Sequence, residues 1–360
     1  MRFSILAIFV LLSIGSGCKK EENPPGILEL EPPSPSSPKS VYICGFEINA
    51  SGKNVAKYWK DEVEVVLSDG VKDAVARAIW VEGNDIYLAG SRKVSTAGSL
   101  SVPVYWKNGV MSDLSSDPAV LSVATDIFIQ NQNIYIVGNE RNEDGVSVAK
   151  LWINAEVTDL SDGIVDAGAT GVFVQNGTIH VVGWQNTSAV NTAQKAIHWT
   201  NGVPQELPSY DSKSTAFDVE VSNGNVFISG VLELDNGQYK SILWKNGEPL
   251  YTSPSVENLQ ANKMSISGGD VYMAGSYGSS GCTACYWKNG SLNELCPVYA
   301  SDDIQESASS ICVANNDIYA VGIGSNSTST GFIGMYWKNG VPHGLSNSPF
   351  SGAAYDIDIK

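Results

Sequence analysis

Beyond residue 40 the apolar residues come in short runs that alternate with polar ones, as in ARAIWV (76–81) and DIYLAG (85–90). The runs are four to six residues long and rich in Val, Ile, Tyr, Phe and Trp. A period of two in β-branched and aromatic residues predicts strands. No stretch places apolar residues at helical spacing. Between the runs stand Asn-Gly and Gly-Gly pairs, in VQNGT, VSNGN, ISGGD and WKNG. Such pairs reach the positive φ angles that a tight hairpin turn needs.

The strands recur as a set. A segment of the YWKNG type carries Trp at 59, 106, 152, 199, 244, 287 and 337, at steps of 47, 46, 47, 45, 43 and 50 residues. In phase with it runs a strand ending in glycine: SVYICG at 40–45, DIYLAG at 85–90, NIYIVG at 133–138, TIHVVG at 178–183, NVFISG at 225–230, DVYMAG at 270–275 and DIYAVG at 317–322. A third motif, Ala-x-x-apolar-x-apolar, begins at Ala76, Ala124, Ala169, Ala216, Ala261 and Ala308. One unit reads as strand A (the alanine motif), strand B (the glycine motif), strand C ending in Tyr-Trp, and strand D after the Asn-Gly turn. A period near 46 residues is that of a propeller blade.

The first glycine strand has no alanine strand before it. The seventh copy, AYDIDI from Ala354, stands at the other end of the chain. A C-terminal strand that completes the first blade would close the ring and leave no sheet edge exposed there. The expected fold is an all-β, seven-bladed β-propeller of four-stranded antiparallel blades over residues 40–360, closed by the C-terminal strand joining the first blade. The strand C Trp residues are expected to wedge between blades, each indole N–H near a backbone acceptor. This order of motifs resembles the kelch family of propellers across residues 40–360. Kelch repeats carry a double glycine, where this chain has one glycine followed by Phe46, Ser91, Asn139, Trp184, Val231, Ser276 or Ile323. The wording of the repeats is similar to that of uncharacterised bacterial surface lipoproteins with YWKNG segments, a likeness that implies no activity.

The N-terminus supplies an address. Arg2 precedes an apolar run from Ile5 to Ile14, too short to span a bilayer, and then Gly15, Ser16, Gly17 and Cys18. Residues 1–17 read as a signal peptide. The cysteine after small residues resembles a lipobox, which implies cleavage before Cys18 and its lipidation, although Gly15 stands where Leu is usual. Lys19-Lys20-Glu21-Glu22 resembles the export tag of Gram-negative outer-membrane lipoproteins that face the cell surface. Residues 18–39, rich in Pro and Ser, read as a tether that packs no core.

Charge narrows the partners. Residues 1–17 contain one charge, so the remainder holds 21 basic and 38 acidic residues, a net charge of −17. This balance argues against nucleic acid and against anionic membrane surfaces, leaving the lipid anchor as the membrane contact. No Gly-rich phosphate loop opening a helix, dense acidic calcium loop or ordered Ser/His/Asp set is present, and no cofactor is expected. His180 and His198 occupy aromatic positions of the repeat and read as packing residues. Cys282 and Cys285 form a lone CxxC. Pairing across the Asn289-Gly290 turn brings Cys282 diagonal to Cys296, so a disulfide, Cys282–Cys296 or Cys282–Cys285, is favoured over a metal site. Cys44 and Cys312 read as core residues.

Tight turns join A to B and C to D, so both sets lie on one face. The longer B–C and D–A connections lie on the other, and variable loops on a rigid scaffold are where binding residues concentrate. The expected ligand-binding residues are Trp184, Tyr277, Arg92, Asn139 and Glu140, read as loop residues. At the third position of the alanine motif, Asp126, Asp218 and Asp356 form a candidate cation site near the channel mouth, with Lys263 as a competing neutraliser. The favoured reading is a non-enzymatic, monomeric cell-envelope lipoprotein whose loop face binds a protein partner. The alternatives are a glycan-binding lipoprotein for nutrient capture, and a hydrolase or lyase with its site at the channel mouth.

Overall fold

The structure, a computed structural model, describes residues 39–360 apart from 96–99, 116–120, 190–192, 211–212, 254–259, 279–282, 296–305, 326–330 and 346–349. Cys18, the signal peptide and nearly all of the tether lie outside the described residues, as do Cys282 and Cys296. All regular structure among the described residues is strand. Blade 2 shows the unit: strand A is Ala74–Glu82, B is Asp85–Lys93, C is Ser101–Lys107 and D is Val110–Asp113. They pair antiparallel in that order, and seven such sheets are present. In blade 1 the strand Gly352–Ile359 takes the A position beside Val41–Ile48, with Tyr42 opposite Asp358 and Ile43 opposite Ile357. The chain is a closed seven-bladed β-propeller of four-stranded blades.

Its core lies between blades. One cluster joins Cys44, Ala56 and Leu67 of blade 1 to Ala76, Leu88, Val104 and Trp106 of blade 2. Six more clusters repeat this arrangement around the ring, the last joining Tyr319, Val321 and Tyr336 to Ile43, Trp59 and Ile357. All seven strand C Trp residues are at most 1% exposed. Trp106 donates its indole N–H to Leu67 O at 3.2 Å, and Trp244 donates to Pro208 O at 2.8 Å, each acceptor belonging to the preceding blade. Trp59, Trp199 and Trp287 instead bury their N–H without a partner, so the expected backbone acceptor is a feature of some blades only. Truncating such a Trp to Ala costs about 3–5 kcal/mol.

The rest of the repeated segment has a physical reason too. Asn108 and Gly109 have φ of 51° and 81°, the two positive values of a type I′ turn. Asn108 Oδ1 accepts the Ile86 N–H at 2.9 Å, and its Nδ2 donates to Asp85 Oδ1 at 2.8 Å. Asn289 and Asn339 repeat both bonds. The C–D turn is thereby tied to the first two residues of strand B. Lys107 lies 3.2 Å from Asp85 and 5.0 Å from the Tyr87 ring centre, as Lys288 and Lys338 lie over Tyr272 and Tyr319. These lysines are exposed, so their pairs add little to stability.

The strand B glycine is not a strand end. Strand B continues past it to Lys93 in blade 2, Arg141 in blade 3, Asn186 in blade 4 and Tyr277 in blade 6. The glycine is required by strand A. Each inner strand has a register shift opposite it, as where Ala76 pairs with Gly90 but Ala78 with Ala89. A Cβ on Gly90 would stand 1.9 Å from Val75 O, and Gly45, Gly138, Gly183 and Gly322 are as tightly placed. The extra residue of a bulge bends the inner strand into its partner, and only a residue without Cβ fits beneath it.

Candidate functional site

The bulges build the site. Each leaves a residue unpaired at the start of strand A, with Lys263 unpaired as well in blade 6, on the side of the disc that carries the B–C and D–A loops. These residues are Arg77, Thr125, Thr170, Phe217, Asn262, Ser309 and Tyr355, one from each blade. All seven, with Lys263, line a cavity of about 320 Å³ at the axis. A strictly alternating strand would turn the second and third positions of the alanine motif to opposite sides. The bulge brings both to the channel, so the mouth is a ring that no period-two reading places there.

Several of these side chains also finish the inner strands. Strand A is the free edge of its sheet, and its outward N–H and C=O groups need partners. Thr125 Oγ1 donates to Ala169 O and Thr170 Oγ1 to Ala216 O, both at 2.8 Å, and Asn262 Nδ2 donates to Ala308 O at 2.8 Å. Arg77 is different: its Nε is buried and has no hydrogen-bond partner, and its guanidinium lies 5.5 Å from the Tyr355 ring centre. Burial pushes the Tyr355 phenol up, with Arg77 opposing, so its hydroxyl stays protonated at neutral pH.

One layer deeper lie the third-position residues. Asp126 Oδ2 accepts the Val172 N–H at 2.9 Å, Asp218 Oδ2 the Met264 N–H at 2.8 Å and Asp356 Oδ2 the Ile79 N–H at 3.1 Å. Each carboxylate caps the edge of the next blade. The cation among them is the chain's own: Lys263 Nζ lies 2.7 Å from Asp126 Oδ1 and 2.9 Å from Asp356 Oδ2. Ser310 adds a hydroxyl to Asp356 Oδ1 at 2.8 Å. Burial works against the Lys263 charge, but Asp126, Asp356 and Asp218 outweigh it and hold the ammonium well above its ordinary range. Asp218, whose second oxygen accepts the Val219 N–H, is not hydrogen-bonded to Lys263, although the Lys263 charge acts on it. Burial is the main cause that pushes it up to about 7. Burial likewise raises Asp126.

The third layer, Trp80, Phe128 and Phe173 opposite Glu220, Ser265, Cys312 and Asp358, borders a second cavity of about 150 Å³ toward the tight-turn face. Glu220 accepts the Ile266 N–H at 3.0 Å and Asp358 the Val81 N–H at 2.7 Å, the same edge capping. Asp358 also pairs with Lys360, whose Nζ lies 4.8 Å from the Trp80 ring centre.

The residues expected to bind a ligand on the loops are strand residues in four different blades, each engaged nearby. Arg92 Nε donates to Asp113 Oδ1 at 2.8 Å. Asn139 Nδ2 donates to Ser147 Oγ at 2.9 Å, and Glu140 accepts the Ser115 hydroxyl at 2.6 Å. The Tyr277 hydroxyl donates to Glu294, which pushes the phenol up to about 12. The Trp184 indole lies against Gly168, where an added Cβ would be 2.9 Å from Nε1. Gly168 and Trp184 are paired residues, so Trp184 fills the space that its own partner leaves. The structure does not gather these five at one site. The sequence did hold a signal for the mouth, in the varied second position of the alanine motif.

His180 Nδ1 and His198 Nε2 lie 3.1 Å apart, buried, at the Tyr positions of strands B and C. Burial lowers both, and His198 falls to about 4, so they pack as neutral rings. Cys285 is a free, buried thiol, as is Cys44, and Cys312 is partly buried and free.

No family model matches the chain, and no curated protein matches its sequence. Solved structures do resemble it. The β-propeller domain of the Trilobed protease from Pyrococcus furiosus has 12% identity over 86% of this chain and 92% of that one, with a TM-score of 0.51. A puromycin-hydrolyzing peptidase from Mycobacterium tuberculosis has 11% identity and a TM-score of 0.53 over 85% of this chain. This chain spans 51% of the peptidase's length. At such identities the likeness shows the propeller fold alone. The Pyrococcus domain has an open velcro topology, whereas here Gly352–Ile359 closes the ring.

Proposed function

We propose that the chain is a non-enzymatic binding module whose loop face engages a protein partner at the axial mouth. The observation that carries this reading is the ring of Arg77, Thr125, Thr170, Phe217, Asn262, Ser309 and Tyr355. It offers a guanidinium, aromatic surface, hydroxyls and an amide, which is a recognition set. The carboxylates lie a layer below, held by Lys263 and backbone N–H groups, and the Tyr355 phenol is protonated. A hydrolase or lyase at the mouth would have to work without them. On the same loop face, the D–A connections carry Val71, Ile164 and Tyr210, which are 58%, 68% and 67% exposed. Exposed apolar loop residues on the face that carries a polar pocket suit a protein surface more than a free sugar. We read the module as a kelch-like lipoprotein, anchored through Cys18 to the outer membrane and held at the cell surface by the 18–39 tether.

Photo-crosslinking tests this reading. A benzoylphenylalanine is placed at Ser309 on the loop face, or at Val110 on the tight-turn face, in cells carrying the full chain. A discrete protein adduct from position 309 and none from 110 is the expected result. Adducts from neither position, with glycan-array binding by residues 39–360, would replace this reading with the glycan one. Release of a Cys18→Ser variant from the membrane fraction would support the anchor, and retention would refute it.

A further inference from the structure

Arg77 stands out in a chain with 22 basic and 38 acidic residues. Several other basic residues have found acids: Arg92 pairs with Asp113, Lys57 with Glu47 and Lys263 with Asp126 and Asp356. Arg77 makes no ion pair and no hydrogen bond among the described residues, and its Nε is buried. A desolvated donor left unmade is a cost that folding does not recover by itself. The same wall of the mouth leaves two more donors uncommitted. Ser309 has no hydrogen-bond partner among the described residues, and Lys263 uses two of its three ammonium protons on Asp126 and Asp356.

We propose that the axial mouth is a carboxylate-binding site anchored by Arg77. The inference rests on the loop-face reading above and specifies it: the partner presents an Asp or Glu side chain, or a chain terminus, to the axis. The fork of a guanidinium matches a planar carboxylate bidentately. One positive charge without a partner selects a monoanion. A dianionic phosphate would bring a second charge close to Asp126, Asp218 and Asp356 in the layer beneath, where Lys263 is already shared. Tyr355 and Phe217, on the same ring, offer apolar surface to the aliphatic stem behind the acid. The cavity of about 320 Å³ admits a side chain or a terminal residue and excludes a folded domain.

The test uses defined probes on residues 39–360, the compact unit. N-acetylglutamate methylamide carries a side-chain carboxylate, and N-acetylglycine carries a terminal one. N-acetylglutamine methylamide and N-acetylglycinamide are the neutral controls. Titrations are followed by the Arg77 Nε–H cross-peak in ¹H–¹⁵N spectra and by calorimetry. The expected result is a downfield Nε–H shift with at least one carboxylate, and none with its amide. Whichever acid binds identifies side chain or terminus as the source. Charge-assisted hydrogen bonds of this kind predict a loss of roughly 10- to 100-fold in Arg77→Gln. Arg77→Lys, which keeps the charge but not the fork, should lose less. Melting temperatures establish that each variant is folded. No carboxylate-dependent shift, or equal affinity in Arg77→Gln, overturns the proposal. These probes report on the acid site with no partner present, so their failure is separate from a failure of the crosslinking.

Discussion

Asp218 offers the sharpest test of the channel energetics. It is buried, gives its oxygens to the Met264 and Val219 N–H groups, and stands apart from the Lys263 pairs. Its carboxyl moves from an ordinary 3.8 up to about 7, mainly through burial. The sign follows from proton counting. Between those two values the folded state holds the proton and the unfolded state has lost it, so stability falls as pH rises through the window. At 1.36 kcal/mol per pH unit, the full window amounts to about 4 kcal/mol, fully present below the unfolded value and lost above pH 7. Asp218→Asn removes the titration and keeps one acceptor oxygen. It forfeits one backbone bond, worth about 1 kcal/mol. The variant should be about 1 kcal/mol less stable than the parent below pH 3, about equal to it near pH 4.5 and about 3 kcal/mol more stable at pH 8. Glu220, raised by burial and then by Asp218, shifts the balance in the same direction. Urea unfolding read by Trp fluorescence at pH 4.5, 6 and 8 gives the comparison. The other titrating residues are common to both proteins, so the difference reports Asp218 together with the charges coupled to it, Glu220 and Lys263 among them. Parallel stability curves, or a parent that gains on the variant as pH rises, would refute the reasoning and place an ordinary ionised Asp in the channel.

Two further predictions concern the bulge and the closure. Gly90→Ala puts a methyl 1.9 Å from Val75 O and should cost more than about 3 kcal/mol or prevent folding, whereas Gly109→Ala, at φ +81° in open space, should cost about 1 kcal/mol. Similar denaturation midpoints for the two would show that the bulge relaxes freely. Deleting residues 352–360 removes the inner strand of blade 1 and bares the edge of Val41–Ile48 together with the Ile43, Trp59 and Val321 cluster. Size-exclusion chromatography should show aggregation, and a monomer with unchanged melting temperature would mean that the seam contributes little.

The repeat made the architecture legible because each letter of it answers to a local cause. Asn-Gly needs positive φ at the C–D turn, Trp needs a neighbouring blade, and the displaced seventh alanine strand needs the first one. These are properties of residue type and spacing, and they survive translation into three dimensions almost unchanged. The site was read less well. Asp126, Asp218 and Asp356 are visible as a periodic acidic position, but their task of capping the next blade's free N–H groups arises only when seven edges meet around an axis. Trp184 looked available because it follows the glycine of strand B, while the partner that covers it, Gly168, comes from the strand paired across from it. Arg77, Phe217 and Tyr355 were hidden by the alternation itself. The sequence alone determined the seven blades, their four strands and their closure, since hairpin chemistry and burial are local. Only the tertiary structure decided which side chains reach the channel, because one extra residue in each inner strand turns the alternation aside at the mouth.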